Sequence, residues 1–133
     1  MKTCISILLI LFIPFSAWSQ TKVAILISGY GNQGDTQLSY DLEELAQSYT
    51  VLKENGIDVD IVSPQGGAVP VHDKKDHITY FKAFKSQASN QLMNTISAQA
   101  ALKNDYHGLM IIGGDGAVFD LPTHHGTKSH VSG

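Results

Sequence analysis

Three apolar runs constrain this chain more than any other feature. They are KVAILIS at 22–28, IDVDIVS at 57–63 and YHGLMII at 106–112. The first is continuous and rich in branched residues, which suits a strand buried on both faces, as in a parallel sheet. Between the first two the period changes. Leu38, Leu42, Leu45, Ala46, Tyr49 and Leu52 recur at helical spacing, with Glu43, Glu44, Gln47, Lys53 and Glu54 between them. This is an amphipathic helix. Asp35 or Thr36 is placed to cap its start, and Gly56 to take the left-handed turn that ends it. IDVDIVS alternates apolar and acidic residues before turning apolar. It is expected at a sheet edge, where Asp58 and Asp60 reach water. Residues 64–77 read as a long loop, and a second helix is expected around NQLMNTISAQAAL at 90–102, with Leu92, Ile96 and Leu102 inward. Strands alternating with helices predict an α/β fold built on a doubly wound parallel sheet.

The first 19 residues do not belong to that fold. Lys2 is a short basic start, an apolar run follows from Ile5 to Phe15, and Ala17 and Ser19 give a small-x-small cleavage pattern. This reads as a secretory signal at 1–19, so the protein is expected to be exported, to the periplasm or beyond the cell. The apolar run is short of the ~20 residues that span a bilayer, so no membrane association is expected after cleavage. Cys4 is the single cysteine and leaves with the signal. The rest then has no disulfide, no thiolate and no cysteine ligand for a metal. A net charge of −3 with unclustered Lys and Arg argues against nucleic acid as a partner.

Four features carry candidate chemistry. GYGNQG at 29–34 matches G-x-G-x-x-G after a strand, but the helix starts after Gly34 rather than within the motif. A flexible loop is the simpler reading, and no cofactor is expected. Glu44 lies beside Leu42 and Leu45 on the first helix. A carboxyl buried there would have its pKa raised and serve as a proton donor, whereas by pattern alone it is a solvated helix glutamate. His72, His77, His107, His124, His125 and His130 occupy loop and tail positions without a helical H-x-x-x-H spacing, so no metal site is expected. Finally, GLMIIGGDGAVFDLP at 108–122 runs a strand into a glycine turn. Ligands of open α/β sheets bind at the carboxyl ends of strands, and such a turn presents backbone N–H groups to an oxyanion.

Three segments then fit one family. DVDIVSPQGGAVPVHD (58–73), FKAFKSQASNQLMNT (81–95) and DYHGLMIIGGDGAVFDLP (105–122) together resemble the ThiJ/PfpI family of the class I glutamine amidotransferase-like superfamily. The likeness runs from about Lys22 to His125, and the ending from Gly113 to Pro122 resembles the branch of heat-shock chaperone/glyoxalase proteins. It implies a flavodoxin-like fold and a site made of an elbow cysteine, a histidine and a glutamate of the first helix. The implied activities are hydrolysis of small acyl or amide substrates, cofactor-independent conversion of glyoxals to hydroxy acids, and chaperoning; dimers are common.

Counting a dozen positions back from Gly56, the resemblance implies Glu44 as the catalytic carboxyl beside the cysteine. It implies Gly114 as an oxyanion-hole donor, with Gly113, Asp115 and Gly116 lining the site. Asp115 stands where this branch often has histidine, and its charge would weaken an oxyanion hole unless it points outward. No residue matches the elbow nucleophile. The expectation is an N-terminal half of the fold at 20–125, with about three strands and two to three helices, followed by an irregular tail at 126–133. Such a chain is by family a cysteine-dependent hydrolase or glyoxalase acting on small carbonyl or amide compounds, inactive in this form. A chaperone-like binding module is the alternative, ahead of a nucleotide-binding domain.

Overall fold

The computed structural model describes residues 20–33, 36–37, 39–69, 71 and 79–121. The expected signal, the tail, Asp35 and every histidine singled out above except His107 lie outside them. Four strands form one sheet: β1 (Lys22–Leu26), β4 (Asp58–Ser63), β5 (Ile96–Ser97) and β6 (Gly108–Ile111), in the order β5-β4-β1-β6. All three pairings are parallel, with Ile25 opposite Ile61 on one side and Met110 on the other. Two short strands, β2 (Asn32–Gln33) and β3 (Thr36–Gln37), pair antiparallel in the connection after β1.

Helices cover both faces, so the sheet is doubly wound. Along β1 the side chains alternate between two cores, as the two-residue period of a strand requires. Ile25 and Ile27 join Val59, Ile61 and Ile112 under α1 (Leu42–Glu54) and α2 (Thr79–Met93). Ala24 and Leu26 join Val62, Ala98, Ala101 and Leu121 under α3 (Ala98–Ala101) and α4 (Ala117–Asp120). From α2, Phe81, Phe84, Ala88 and Leu92 enter the first core, and Phe84 meets Tyr49 of α1 edge-on at 5.4 Å. Each buried phenylalanine contributes about 1.5–3 kcal/mol by leaving water.

Three expectations are corrected. The first helix begins at Leu42, because Thr36 is taken up by the β2–β3 pair and Asp41 is the N-cap, its carboxylate accepting from Glu44 N at 2.9 Å. Its end is as expected, with Gly56 at φ +73°. The second helix ends at Met93 rather than near residue 102. Thr95 leaves it to bridge Gly67, Ile96 enters strand β5, and Leu102 is exposed. β4 is also not an edge strand. β5 pairs with its Val62 and Ser63, and the Gln91 amide of α2 covers the rest by accepting from Ile61 N and donating to Val59 O. Asp58 and Asp60 are tied in ion pairs: Lys22 Nζ lies 2.9 Å from Asp60, and Lys53 Nζ lies 3.6 Å from Asp58.

Candidate functional site

β1 and β6 are neighbours whose following helices pack on opposite faces of the sheet. The crevice beyond their carboxyl ends is therefore the topological switch point, where open α/β sheets bind ligands. Two segments meet there, the start of α1 and the glycine turn after β6.

The turn docks on α1 through its backbone. Asp41 N donates to Gly113 O at 2.8 Å, and Gly116 N donates to Ser39 O at 2.9 Å. These contacts dictate the glycines. Gly114 has φ +133°, and a Cβ there would stand 2.5 Å from Ser39 O and 2.6 Å from Tyr40 Cα. A Cβ on Gly116 would stand 2.7 Å from Ser28 Oγ. Close backbone approach thus requires glycine at 114, whatever the turn binds, while at 116 a Cβ would displace the Ser28 hydroxyl.

The same hydrogen bonds release Glu44. It occupies the third helical position after the Asp41 cap, from which a glutamate commonly reaches back to the cap N–H. That N–H is taken by Gly113 O. The Glu44 carboxylate instead lies against the turn, with Oε2 4.0 Å from where a Cβ of Gly113 would stand. Glu44 is solvent-exposed, so the burial imagined from its apolar neighbours is corrected: Leu45 and Ala46 face the core and Glu44 the crevice. Gly113, Gly114 and Asp115 are exposed as well. Their N–H groups donate no hydrogen bond within the described residues. Exposed N–H groups at a strand end beside one carboxylate are an arrangement suited to a small carbonyl oxygen. Asp115 is at the surface, where solvent weakens its field.

A second group of residues went unread in the sequence. Ser28, fully buried, donates from Oγ to Asp120 Oδ1 at 2.9 Å, while Gly29 N donates to Oδ2 at 2.8 Å. Ser28 Oγ also accepts from Tyr30 N at 3.1 Å. Next to them the rings of Tyr30 and Phe119 stack at 4.9 Å, 13° from parallel. A cleft of about 540 Å³ opens between this group and the loop after β4, lined by Gly29, Tyr30, Ser63, Gln65, Phe119 and Asp120 among others. Neither Glu44 nor Gly114 lines it. No spacing rule marks Ser28; Asp120 stood in the DLP of the family-like ending without a role.

The remaining candidates do not join these sites. His107 lies at the opposite end of the sheet, its Nδ1 accepting from Lys22 N at 3.2 Å. Strand β2 falls within the 29–34 motif, and β2 and β3 both stand between Gly29 and Gly31 and the start of α1, so these two glycines do not set a helix N-terminus against a phosphate. Among the described residues no group of three or more His, Cys, Asp or Glu is placed to hold a metal, and no helix is long and apolar enough to cross a membrane.

No protein family and no curated protein matches the chain. Solved structures do. The Francisella tularensis Rapid Encystment Protein 24 KDa superposes with a TM-score of 0.74 at 23% identity, over 85% of this chain and 53% of that one. A protein designated APC35852 superposes with a TM-score of 0.67 at 24% identity, over 80% of this chain and 48% of that one. At this identity the likeness shows the fold, a flavodoxin-like α/β sheet, and the chain spans about half the length of the solved structures it matches.

Proposed function

We propose that the chain is a ThiJ/PfpI-type domain whose β1/β6 crevice takes a small carbonyl or amide compound. Glu44 is the carboxyl that accepts or returns a proton, and the Gly114 N–H is the contact for the carbonyl oxygen as it gains charge. Gly113 and Gly116 hold the turn against α1, and Asp115 stands at the rim. The observation that carries this reading is the carboxylate of Glu44 lying 4.0 Å from the Cβ position of Gly113. Covalent chemistry in such a site needs a thiolate. The sole cysteine, Cys4, lies outside the described residues in the signal-like segment, so turnover requires a cysteine from elsewhere. On this reading the chain alone is inactive, without cofactor or metal, and exported by its first 19 residues. A chaperone-like binding module is a second reading, favoured by Leu109, Ile111, Val118 and Phe119, which are all exposed. The same surface is where a homodimer would form.

The test is titration of isotope-labelled chain with D-lactate, the kind of hydroxy acid that glyoxal conversion yields. The amide resonances of Gly113, Gly114 and Asp115 are expected to shift and saturate. Glu44→Gln is expected to tighten binding about fivefold, because two like charges near 4 Å repel by about 1 kcal/mol in water. Unmoved amides, or weaker binding by Glu44→Gln, would count against the reading.

A further inference from the structure

The glycine turn after β6 is gripped from two sides. On one side it docks on the start of α1, through Asp41 N to Gly113 O and Gly116 N to Ser39 O. On the other side stands the Ser28 hydroxyl. Ser28 is fully buried just past the end of β1, and Gly116 is buried against it, its Cβ position 2.7 Å from Ser28 Oγ. The missing side chain at 116 is what admits the hydroxyl. Ser28 Oγ is bonded in both senses. It donates to Asp120 Oδ1 at 2.9 Å and accepts from Tyr30 N at 3.1 Å, while Gly29 N donates to Asp120 Oδ2 at 2.8 Å. The Asp120 carboxylate thus ties α4 to residues 91 and 92 positions earlier in the chain, and hydrogen bonds to a carboxylate are among the strong ones.

The tie matters because α4 has little to hold it in one direction. It has four residues, and its N-cap, Gly116, makes no side-chain cap hydrogen bond. A single helical turn is unstable by itself. Leu121 enters the second core next to it, but apolar packing is not directional. The bond from Ser28 to Asp120 is. The turn and α4 also form one continuous piece, with Ala117 N donating to Gly114 O at 3.1 Å and Phe119 N donating to Gly116 O at 3.0 Å. What fixes α4 therefore fixes the peptide groups of Gly113, Gly114 and Asp115.

We propose that Ser28 and Asp120 are positioning residues for the β1/β6 crevice. Their hydrogen bond, acting through α4 and Gly116, sets the direction in which the Gly113–Asp115 N–H groups meet a carbonyl oxygen. The proposal rests on the reading of that crevice as a carbonyl site.

Residual dipolar couplings of the backbone N–H groups, measured on the aligned, ligand-free full chain, report bond direction and test it. Ser28→Ala is the decisive variant, because it removes one hydroxyl and keeps the Cβ. The couplings of Gly113, Gly114 and Asp115 are expected to depart from the parent values, while those of β1, β4 and β6 hold. D-lactate is expected to bind this variant about fivefold more weakly, the loss of one directional hydrogen bond. Tyr106→Phe is the control for a merely structural effect, since it breaks the tie to Asp60 at the opposite end of the sheet. It is expected to leave the turn couplings and the lactate affinity as in the parent. Should Ser28→Ala fail to fold, Asp120→Asn, which keeps an acceptor for only one of the two donors, is expected to move the same three couplings. Unchanged turn couplings, or an equal loss of lactate affinity in Tyr106→Phe, would overturn the proposal. No lactate binding by the parent chain would overturn the carbonyl reading instead, and the couplings would still decide whether Ser28 and Asp120 direct the turn.

Discussion

Gly56 and Gly114 are both left-handed glycines, yet they answer to different demands. Gly56 ends a helix at φ +73° and has no neighbour within 4 Å of its Cβ position. Its role was legible in the sequence, because an apolar period that stops at KENG needs such a turn. Gly114 at φ +133° is wedged against Ser39–Asp41, a contact between segments about 75 residues apart that no local pattern announces. Alanine at Gly56 is expected to cost about 1–2 kcal/mol, the penalty of a left-handed residue with room around it. Alanine at Gly114 is expected to cost about 3 kcal/mol or more, strain plus overlap with backbone that cannot swing aside. Urea unfolding of both variants checks this, and equal losses would contradict the packing described for the turn. Glu44 shows the same divide. Its place on the helix was plain from spacing, but its direction follows from Asp41 N being bound to Gly113 O.

Among the elements, long apolar periods were legible and short pairings were not. β1, β4, β6 and the body of α1 follow the apolar runs and spacings. β5 has two residues, Ile96 and Ser97, and is a strand because β4 offers it Val62 and Ser63. Read locally, Ile96 continues the helical spacing of Leu92, so the pattern predicts a helix later in the chain than α2. Helix α2 carries the spacing Phe81, Phe84, Ala88, Leu92 along its length, and burial of those residues fixes it. Polar ties between elements were also invisible. Tyr106, ahead of β6, donates to Asp60 Oδ2 of β4 at 2.7 Å, and Lys22 of β1 lies 2.9 Å from the same oxygen. Burial, joined by the Asp60 carboxylate, pushes the Tyr106 hydroxyl up to about 12 from its ordinary 10.0. The Lys22 ammonium is raised as well, chiefly by its hydrogen bond to Asp60. Above about pH 10 the unfolded chain gives up these protons while the folded chain keeps them. Stability contributed by the network is therefore whole below about pH 10 and is lost as pH rises towards 12. Denaturant unfolding across that range should show a fall that is shallower in Tyr106→Phe. A flat profile, or an equal slope in the variant, would contradict it.

As a whole molecule the chain is an α/β sheet wound on both faces, as the three apolar runs foretold, with an edge that remains open. Among the described residues β6 pairs only with β1, and Leu109 and Ile111 stand exposed on it. Unpaired apolar edges invite a further strand. This chain covers about half the length of the solved structures that share the fold. The site mirrors this arrangement. A carboxylate and a set of backbone N–H groups face one crevice, and the described residues bring no thiol to it. Whether chemistry there depends on a thiol from elsewhere is the central claim, and methylglyoxal turnover by the purified chain carrying Cys4→Ser measures it. The account predicts a rate no faster than the uncatalysed reaction, unchanged by Glu44→Gln. Turnover that Glu44→Gln abolishes would contradict it, because the crevice would then be complete without a thiol.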